Sequence, residues 1–599
     1  MKFHSNLDLY LIGMFSLCLV QPLVTQITRP SQGPNYYSSY IRHAVCRATD
    51  PIKYPKTVED IVAIVNEAID RGVKVKAFGQ RHSITDVICT DGIPIDMRSF
   101  KSVEMNADET STFGAGVTVQ EAGDFLLQHK RALKVLPAYG NITLAGAIGT
   151  GAHGSSIKFH SSLSAQVARM TIVNGLGKVM VISSREDLRS FKVHLGLLGI
   201  IVDVTLNTVP LYKLKSHTAV ASDEVLTNGE AIGWAKASDQ LTLYWFPSIS
   251  EIVISNMSVV PAETVGDIKL FMSTTFESNV LNTIYKESAF NLSASDCTAA
   301  STLGKKMLHF LDMRFRTQLS PDTVCERQTP TNDTETNPIV GYPHDLLSAV
   351  CGEDDKISAC AWSHPQPYST ETLDSEFDFP LDDMPEVVRT IKDIVEKTST
   401  AFPAYGIILR FSNESDIYMS TSYKRPSCHL EFQLWKRSDF YNEASGNLAG
   451  YQTILQALSK QFNARSHWAK SGLVYHSSSI LDKKLNSFAR QRFIAAMQKY
   501  DPNGIFLNNF GRRLMNKDTE IDFDPLTTRC ALLDNCFCSN SSDCGGQQNC
   551  TSISGYNYPV CQTRNIVATQ FERHDYPATF EVGHWFFNSF PPLVRSLTC

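Results

Sequence analysis

Residues 74–92 read KVKAFGQRHSITDVICTDG, in which an apolar, strand-like run stops at Gly79 and is followed by Gln80, Arg81 and His82. A surface turn needs only turn-forming residues at such a bend. The histidine therefore has to be interpreted from the segments that surround it along the chain.

The segment before this run predicts a helix. TVEDIVAIVNEAIDRG, residues 57–72, places its aliphatic side chains on one helical face, with Thr57 and Asp60 as a capping pair and Gly72 as the stop. A helix that leads directly into a strand and a glycine bend indicates a domain that mixes helices and strands.

The same plan recurs further along the chain. STFGAG at 111–116 predicts a strand ending in glycine, and VTVQEAGDFLLQHK at 117–130 predicts its helix. ARMTIVNGLGKVMVIS at 168–183 predicts two strands around the turn Asn174–Gly175. Short strands with mixed connections assign this region to the α+β class.

Length and charge limit the possible functions. The chain has 599 residues and 43% hydrophobic content, which exceeds what one compact core usually holds. Lys and Arg number 55 against 61 Asp and Glu, so no basic excess points to nucleic acid or to an anionic membrane surface. We expect a folded protein of more than one domain that binds no nucleic acid.

The N-terminus differs from the rest of the chain. LYLIGMFSLCLV at 9–20 is an apolar run preceded by Lys2, too short to span a bilayer and of the size of a signal-peptide core. We expect residues 1–25 to be a cleaved signal peptide, with an uncleaved membrane anchor as the alternative. No later segment is apolar enough to predict a stable membrane span.

Cysteine usage agrees with export. Loss of Cys18 with the signal peptide leaves an even fourteen of the fifteen cysteines, as expected of disulfide pairing in an oxidising compartment. Sequons that permit glycosylation occur at Asn256, Asn291, Asn332, Asn413, Asn540 and Asn549. We expect a glycoprotein that is secreted or resides in the lumen of the secretory pathway.

Many of the cysteines lie in residues 529–599, which we interpret as a separate cysteine-rich tail. Cys536, Cys538, Cys544 and Cys550 resemble a set of metal ligands, but export normally oxidises such clusters. We therefore favour a disulfide-stapled module and expect no metal. The last 38 residues are rich in aromatic side chains and contain no motif that we can interpret.

Two further loops are dense in glycine, PAYGNITLAGAIGTGAHGSS at 137–156 and HLGLLGIIVDVTL at 194–206. Glycine lets the backbone approach a ligand closely, and unshielded amides in such loops can hold a pyrophosphate. Neither a P-loop nor a Rossmann fingerprint occurs at the position that these motifs require. Taken singly, each loop is also consistent with tight packing alone.

In combination these segments resemble a known family. GQRHS at 79–83, TLAGAIGTGAHGSS at 143–156 and the segment at 194–206 look like the flavin-binding domain of the vanillyl-alcohol oxidase superfamily. SHWAK at 466–470 and YDPNGIFLN at 500–508 resemble the C-terminal motifs of the aldonolactone oxidoreductases within that superfamily.

Two more segments are most similar to the plant-type, secreted L-gulonolactone oxidases: ISACAW at 357–362 and the cysteine run that begins CALLDNCFC. The similarity covers about residues 40–561. It implies a two-subdomain FAD-binding domain at 40–213 and a substrate or cap domain at 214–528, β-rich to about residue 420, whose end returns to the flavin domain. The disulfide-rich tail at 529–599 follows.

The resemblance also implies the cofactor, FAD. The first glycine loop would lie near its pyrophosphate and the GAHGSS loop would pass the flavin. The implied cofactor-binding residues are Gly79, Gln80, Arg81, His82, Ser83, Gly146, Thr150, Gly151, His153, Gly154, Ser155, Ser156, Gly199 and Ile200.

His82 matches the position that bonds to the flavin 8α-methyl carbon in covalent members of the family. Neutral imidazole is a nucleophile, and the product nitrogen withdraws electrons from the ring, which makes the flavin a better oxidant. Covalent FAD through His82 is therefore expected. One departure is that many relatives carry glycines where this chain has Gln80 and Arg81.

Three further residues are implied as catalytic. Lys470 of the HWxK segment would stabilise negative charge on the reduced flavin, and His467 would orient the lactone or move its hydroxyl proton. Arg410 matches the arginine of a family Glu-x-Arg strand, but Ile408 stands where the glutamate is expected. We therefore expect no carboxylate for substrate hydroxyls at that place, and Arg410 is equally consistent with a structural salt bridge.

The resemblance implies oxidation of L-gulono-1,4-lactone or a related aldonolactone, giving ascorbate and, with oxygen as acceptor, hydrogen peroxide. A dehydrogenase that uses another acceptor is one alternative. A berberine-bridge-type carbohydrate oxidase is another, although its second, cysteinyl flavin link has no counterpart because residues 137–160 contain no cysteine. A secreted binding protein on the same scaffold is the non-enzymatic alternative.

Overall fold

The computed structural model describes residues 35–39, 44–159, 161–267, 339–348, 370–398, 406–437, 448–515, 529–546 and 548–563. The expected signal peptide, the ISACAW segment and residues 564–599 lie outside the described residues, as do the sequons at Asn291 and Asn332. Among the described helices, none is long and apolar enough to cross a membrane.

The first part of the chain forms the flavin-binding half. Its elements are β1 (Tyr36–Ser38), β2 (Val45–Arg47), α1 (Val58–Arg71), β3 (Val75–Phe78), β4 (Ile93–Asp96), β5 (Val103–Met105), β6 (Thr110–Gly114), α2 (Val119–Gln128), β7 (Arg131–Ala132), α3 (Leu144–Thr150), β8 (Val167–Val173), β9 (Val179–Ile182), α4 (Arg185–Phe191), β10 (Ile200–Asn207) and β11 (Val209–Pro210).

These elements build four small sheets. β3 pairs in parallel with β4, an antiparallel sheet has the strand order β5-β6-β10-β8-β9, and β1–β2 and β7–β11 are antiparallel pairs. The predicted helix at 57–72 is confirmed, with the Thr57–Asp60 capping box and Gly72 in the left-handed region at φ 64°. The predicted hairpin is confirmed as β8 and β9, joined through Asn174–Gly175.

The second part forms the cap. Its elements are β12 (Tyr212–Ser222), α5 (Glu230–Ala237), β13 (Gln240–Phe246), β14 (Glu251–Pro261), β15 (Ile339–Gly341), α6 (Pro343–Leu347), β16 (Thr370–Pro380), α7 (Met384–Thr398), β17 (Ile407–Ser412), β18 (Ser427–Arg437), α8 (Leu448–Gln461) and β19 (Arg465–Ser466).

The cap strands form one antiparallel sheet in the order β15-β12-β14-β13-β17-β18-β16-β19. α7 and α8 supply apolar side chains to a second hydrophobic core beneath this sheet, separate from the core of the flavin-binding half. The β-rich region therefore extends past the expected limit near residue 420, because β18 and β19 complete the sheet after that point.

The chain then returns to the flavin-binding half through α9 (Ser478–Lys484), α10 (Ser487–Tyr500) and α11 (Asn509–Leu514). Apolar residues of these helices join the first core. The Val75 amide of β3 donates to the Ile505 carbonyl at 2.8 Å. The predicted C-terminal return is thus present, and its DPNGIF motif lies beside the strand that carries the GQRHS bend.

Residues 530–563, with strands β20 (Gln548–Thr551) and β21 (Val560–Thr563), form the cysteine module. Disulfides join Cys530 to Cys536, Cys538 to Cys550 and Cys544 to Cys561. The module differs from the expected separate tail because it packs on α8 and its buried residues belong to the cap core. A further disulfide, Cys46–Cys89, lies in the flavin-binding half.

Candidate active site

A long cavity runs between the flavin-binding half and the cap, with an empty volume of about 1450 Å³. The bend after β3, the first turns of α3 and the start of β10 line it from one side, and β16, β17 and the segment after β19 line it from the other. A cavity between two domains is a common place for a cofactor site.

The cavity brings most of the predicted site residues together. Those that line it are Gly79, Gln80, Arg81, His82, Ser83, Gly146, Thr150, His153, Gly199, Ile200, Arg410, His467 and Lys470. Residues that are more than 380 positions apart in sequence thus meet in one site.

Four predicted cofactor-binding residues, Gly151, Gly154, Ser155 and Ser156, do not line the cavity. Gly151 ends α3 in the left-handed region at φ 76°. The Ser155 hydroxyl accepts from the Phe411 amide at 2.9 Å and donates to the Leu241 carbonyl, and the Ser156 amide donates to the Phe411 carbonyl at 2.7 Å. This part of the GAHGSS loop connects the two halves of the molecule.

The GQRHS bend owes its shape to packing. A Cβ atom on Gly79 would lie 2.2 Å from the Thr143 hydroxyl, so no larger residue fits there. Arg81 occupies the left-handed region at φ 54°, which costs a non-glycine residue about 1–2 kcal/mol, and its guanidinium lies 5.4 Å from the Phe78 ring centroid. Glycine would adopt this conformation without the cost.

His82 lines the cavity and is half-buried. Burial, with a smaller contribution from the nearby Lys470 cation, lowers the pKa of His82 to about 3, so its imidazole is neutral at physiological pH. Its ring centroid is 4.8 Å from that of Tyr139. A neutral imidazole facing a cavity is the state required of a nucleophile toward a flavin methyl carbon.

A second imidazole supports the fit to FAD. His194 accepts the Gly196 amide hydrogen at Nδ1 over 2.9 Å, so the neutral ring carries its proton on Nε2. Burial lowers the pKa of His194 to about 3. Its Nε2 is buried, lines the cavity and has no acceptor within the described part of the chain. An acceptor on the bound cofactor would satisfy this donor.

The opposite end of the cavity holds a buried network of charges. Glu376 of β16 accepts from His153 Nε2 at 2.7 Å and lies 3.2 Å from Arg410 Nη1. Lys470 Nζ lies 2.6 Å from Asp374 and 2.8 Å from Glu431, and Arg410 also contacts Glu431.

This network corrects the expectation of a missing carboxylate. Ile408 does occupy the family's glutamate position, but the cross-strand partner of Ile408 is Glu431, and Glu431 in turn opposes Glu376. Carboxylates from the two neighbouring strands therefore surround Arg410. Lys470, the cation expected beside the flavin, is bound between the carboxylates of Asp374 and Glu431.

The charge states follow from these contacts. Burial opposes ionisation of Glu376, but His153 and His467 outweigh it and lower the pKa of Glu376 well below its usual value. Burial lowers the pKa of His467 to about 4. Because His467 Nδ1 accepts the Ala469 amide hydrogen at 3.2 Å, the neutral ring presents an Nε2–H donor. His467 can therefore orient an oxygen by donation.

Sequence reasoning missed Asp374, Glu376 and Glu431. A signal for them was present in the alternation along the strand. In TLDSEFDFP the acidic residues Asp374, Glu376 and Asp378 recur at every second position, between uncharged residues, so their side chains share one face of a buried strand. Buried carboxylates at a spacing of two residues call for cationic partners, which β17 and the HWxK segment supply.

Two families match the chain. Residues 50–183 match the FAD binding domain and residues 367–514 match D-arabinono-1,4-lactone oxidase. The second match contains Asp374, Glu376, Arg410, Glu431 and Lys470 of the charge network, and the first contains the GQRHS and GAHGSS loops with His153. Both matches agree with the resemblance drawn from the motifs.

Curated relatives point the same way. L-gulono-1,4-lactone dehydrogenase of Mycobacterium tuberculosis is 24% identical over 80% of this chain and 99% of its own length. L-gulonolactone oxidase 5 of Arabidopsis thaliana is 26% identical over 89% of this chain and 93% of its own length. L-gulonolactone oxidase of Mus musculus is 27% identical over 76% and 93%, respectively.

Among solved structures, a cholesterol oxidase from Brevibacterium sterolicum superimposes with a TM-score of 0.60 at 15% sequence identity, covering 81% of this chain and 99% of that one. This likeness confirms the α+β FAD-binding fold of the vanillyl-alcohol oxidase type. The chain therefore joins an FAD-binding domain to a D-arabinono-1,4-lactone oxidase domain, and its homologues include L-gulonolactone oxidases of plants and animals.

Proposed function

We propose that this protein oxidises L-gulono-1,4-lactone, or a closely related aldonolactone, with FAD as the cofactor. One observation carries the proposal: the segment that matches D-arabinono-1,4-lactone oxidase supplies Glu376, Arg410, His467 and Lys470 to the same cavity that the FAD-binding segment lines with His82. The FAD-binding match and the fold support the cofactor itself.

FAD supplies the hydride acceptor for oxidation of a carbinol carbon. The protein's own residues bind and orient the substrate. Arg410 and the Nε2–H group of His467 donate toward substrate oxygens, and Glu376, which flanks Arg410 and lines the cavity, accepts from substrate hydroxyls. A site with donors and acceptors side by side suits a neutral, hydroxyl-rich ring.

In this proposal molecular oxygen is the electron acceptor that reoxidises the reduced flavin, and hydrogen peroxide is the product. The matched relatives include both oxidases and a dehydrogenase, so a second candidate is an aldonolactone dehydrogenase that passes electrons to another acceptor. The two candidates share the reductive half of the reaction and differ only in reoxidation.

A flavin assay tests the proposal. Purified protein should be yellow, anaerobic mixing with L-gulono-1,4-lactone should bleach the oxidised flavin, and admission of air should restore the colour. Bleaching without recovery in air would assign the dehydrogenase. A colourless protein, or no bleaching with any aldonolactone, would contradict the proposed function and favour a binding protein on this scaffold.

We further propose that the mature protein is secreted and glycosylated after removal of residues 1–25. The sequons and the four disulfides of the described chain support this proposal, since disulfides persist in oxidising compartments. Expression in a eukaryotic host should give medium-borne protein whose gel mobility increases after glycosidase treatment. Retention of the intact N-terminus in a membrane fraction would contradict it.

A further inference from the structure

Asp374 is the one cavity-lining carboxylate that neither the family motifs nor the proposed function has used. It lies on β16 two residues before Glu376, and its side chain reaches the cavity while the residue as a whole is only 8% exposed. The backbone around it is fixed: its amide donates to the Ser471 hydroxyl at 2.9 Å, and its carbonyl accepts from the Ser471 amide at 2.7 Å.

The groups around Asp374 favour the protonated form of its carboxyl group. Lys470 Nζ bridges its carboxyl group and that of Glu431, so two buried acidic groups lie against one cation. Two carboxylates this close repel each other and burial disfavours their charged forms, so the neutral form of one of them is favoured. Oδ1 of Asp374 has no donor among the described residues, which is consistent with a proton at this carboxyl group.

The contacts also decide which partner holds that proton. Burial would raise the pKa of Glu431, but Arg410 and Lys470 outweigh it and lower this pKa to about 2. Burial raises the pKa of Asp374 to about 7, with Lys470 opposing and Glu431 adding to the rise. Asp374 is therefore the member of the pair that changes its charge near neutral pH.

Three neighbouring polar groups of the cavity, His467, His153 and Tyr139, are poor proton acceptors. His467 uses Nδ1 to accept the Ala469 amide, and its Nε2 already carries a proton. His153 has an acceptor at each ring nitrogen, the Gly154 carbonyl at 2.8 Å and Glu376 at 2.7 Å, so both nitrogens donate. Burial raises the pKa of Tyr139 to about 12, which keeps its phenol protonated.

We propose that Asp374 is the general base of the reaction and that Lys470, hydrogen-bonded to it, is a positioning residue that holds the carboxylate in place. In this step the substrate carbinol carbon loses its hydrogen as a hydride to oxidised FAD while the hydroxyl proton passes to Asp374. A C=O bond forms, the flavin is reduced by two electrons, and Asp374 later releases its proton to solvent. The inference rests on the proposed function, because it names the base for that same reaction.

The pH dependence follows directly. Asp374 accepts a proton only when it is ionised, so the rate of flavin reduction should rise with pH through the pKa near 7 and level off above it. The groups that face Asp374 and influence this titration are Glu376 on its own strand, Glu431 on β18, Lys470 after β19, Tyr139 before α3 and Tyr451 on α8.

The test is anaerobic stopped-flow reduction of the flavin by saturating L-gulono-1,4-lactone between pH 5 and 9. Asp374→Asn should slow reduction by about 10²–10⁴-fold and remove the rise near pH 7. Compared with Asp374→Asn, Asp374→Glu should recover part of the reduction rate and a rise of that rate with pH. Asp382→Asn, an exposed acid at the end of the same strand, is the matched control and should keep the wild-type profile.

The Lys470→Met variant provides a second test, which remains informative even if Asp374→Asn does not fold. Removal of the neighbouring cation should move the midpoint of the pH profile to a higher pH, because Lys470 lowers the pKa of Asp374. Flavin absorbance and thermal unfolding establish that each variant is folded and loaded.

The inference is overturned if Asp374→Asn keeps the wild-type rate, if it slows but keeps the limb near pH 7, or if Lys470→Met leaves the midpoint where it was. Failure of the proposed function gives a different result, because no aldonolactone would then bleach the flavin of the wild-type protein. In that case the assignment of a base for the reaction is wrong as well.

Discussion

At His82, burial selects the chemical state of the side chain. The low pKa of this histidine leaves its imidazole neutral across the physiological range, and its place in the cavity wall brings it to the proposed flavin site. The neighbouring Arg81 accepts an unfavourable backbone conformation to complete the same bend. Strain of this kind persists only where the surrounding structure holds it.

We predict that His82→Ala abolishes covalent attachment of FAD. Acid precipitation of the wild-type protein should leave yellow flavin on the polypeptide, whereas the variant should release it to the supernatant, because no other imidazole replaces the bond. The flavin midpoint potential of any FAD that remains bound should also fall, since the electron-withdrawing link is lost.

The exposed His129 provides the matched control for this experiment, and His129→Ala should retain the flavin through acid treatment. If wild-type flavin is itself extractable, covalent attachment is wrong while FAD binding remains.

The residue scale also shows why the site was only partly predictable. His82, His467 and Lys470 could be found because each lies in a short motif that is recognisable by itself, GQRHS or SHWAK. Glu431 could not be placed beside Arg410 from sequence, since it is the pairing of β17 with β18 that sets Ile408 opposite Glu431. A one-residue shift in that register would turn Glu431 to the other face of the sheet.

At the scale of elements, the GAHGSS loop and β17 hold the two halves together. Ser155 contributes the side-chain bonds, one to the Phe411 amide of β17 and one to the Leu241 carbonyl of β13. Because these partners are buried, loss of the hydroxyl leaves a donor and an acceptor without their bond.

Ser155→Ala should therefore lower the free energy of unfolding by about 1–3 kcal/mol, without removing any group that lines the cavity. Denaturant unfolding followed by tryptophan fluorescence measures the change. Ser479→Ala, at an exposed serine, should stay within about 0.5 kcal/mol of wild type. Equal stability of the two variants would show that the Ser155 bonds contribute nothing to the junction.

The disulfide connectivity of the cysteine module and its packing on α8 could not be predicted from local sequence patterns. Its cysteine content predicted disulfides, but connectivity cannot be deduced from spacing alone. Its attachment depends on α8, where the Gln452 side chain accepts the Cys561 amide at 3.0 Å and donates to Asp534 at 2.9 Å. The role of a buried polar residue such as Gln452 can be recognised only when the element that it bonds to is known.

We predict that removing the Cys544–Cys561 disulfide by a double serine substitution costs about 3 kcal/mol of stability, because the bond closes a loop of 17 residues in the unfolded chain. Removing Cys530–Cys536, which closes a loop of 6 residues, should cost less, about 2 kcal/mol. Thermal unfolding of both variants gives the comparison. The opposite order would contradict loop closure as the main source of stabilisation.

For the whole molecule, two hydrophobic cores meet across a cavity whose walls carry buried titratable groups from both halves. Helical and strand periods predicted many elements of the flavin-binding half, since α1 and the β8–β9 hairpin depend on local sequence. The cap was predictable only as β-rich, because its sheet joins strands from β12 to β19 that are more than 200 residues apart. Assembly of the cap therefore depends on contacts between residues far apart in sequence. The charge states of the buried titratable side chains in the cavity depend on such contacts as well.

Buried neutral histidines make the whole protein sensitive to acid. Burial lowers the pKa of His194 and His476 to about 3 and that of His467 to about 4, whereas an unfolded histidine titrates near 6.5. Below pH 6.5 the unfolded chain binds protons that the folded chain does not, so stability falls as pH falls, by up to about 1.4 kcal/mol per unit for each histidine. Asp374 has the opposite sign, because its pKa is raised on folding, and it offsets part of this loss.

His476→Phe isolates one of these contributions. The His476 ring lies 5.5 Å from Trp468 and 5.6 Å from Phe510, so phenylalanine preserves an aromatic ring in that place while removing the titration. Guanidinium unfolding at pH 7.5 and 5.5 should show that the variant loses about 1.4 kcal/mol less stability over this interval than wild type. His129→Gln, at an exposed histidine, should keep the wild-type difference. An unchanged pH dependence in His476→Phe would mean that His476 binds protons equally in the folded and unfolded chain, and the acid sensitivity would then have to arise from other groups.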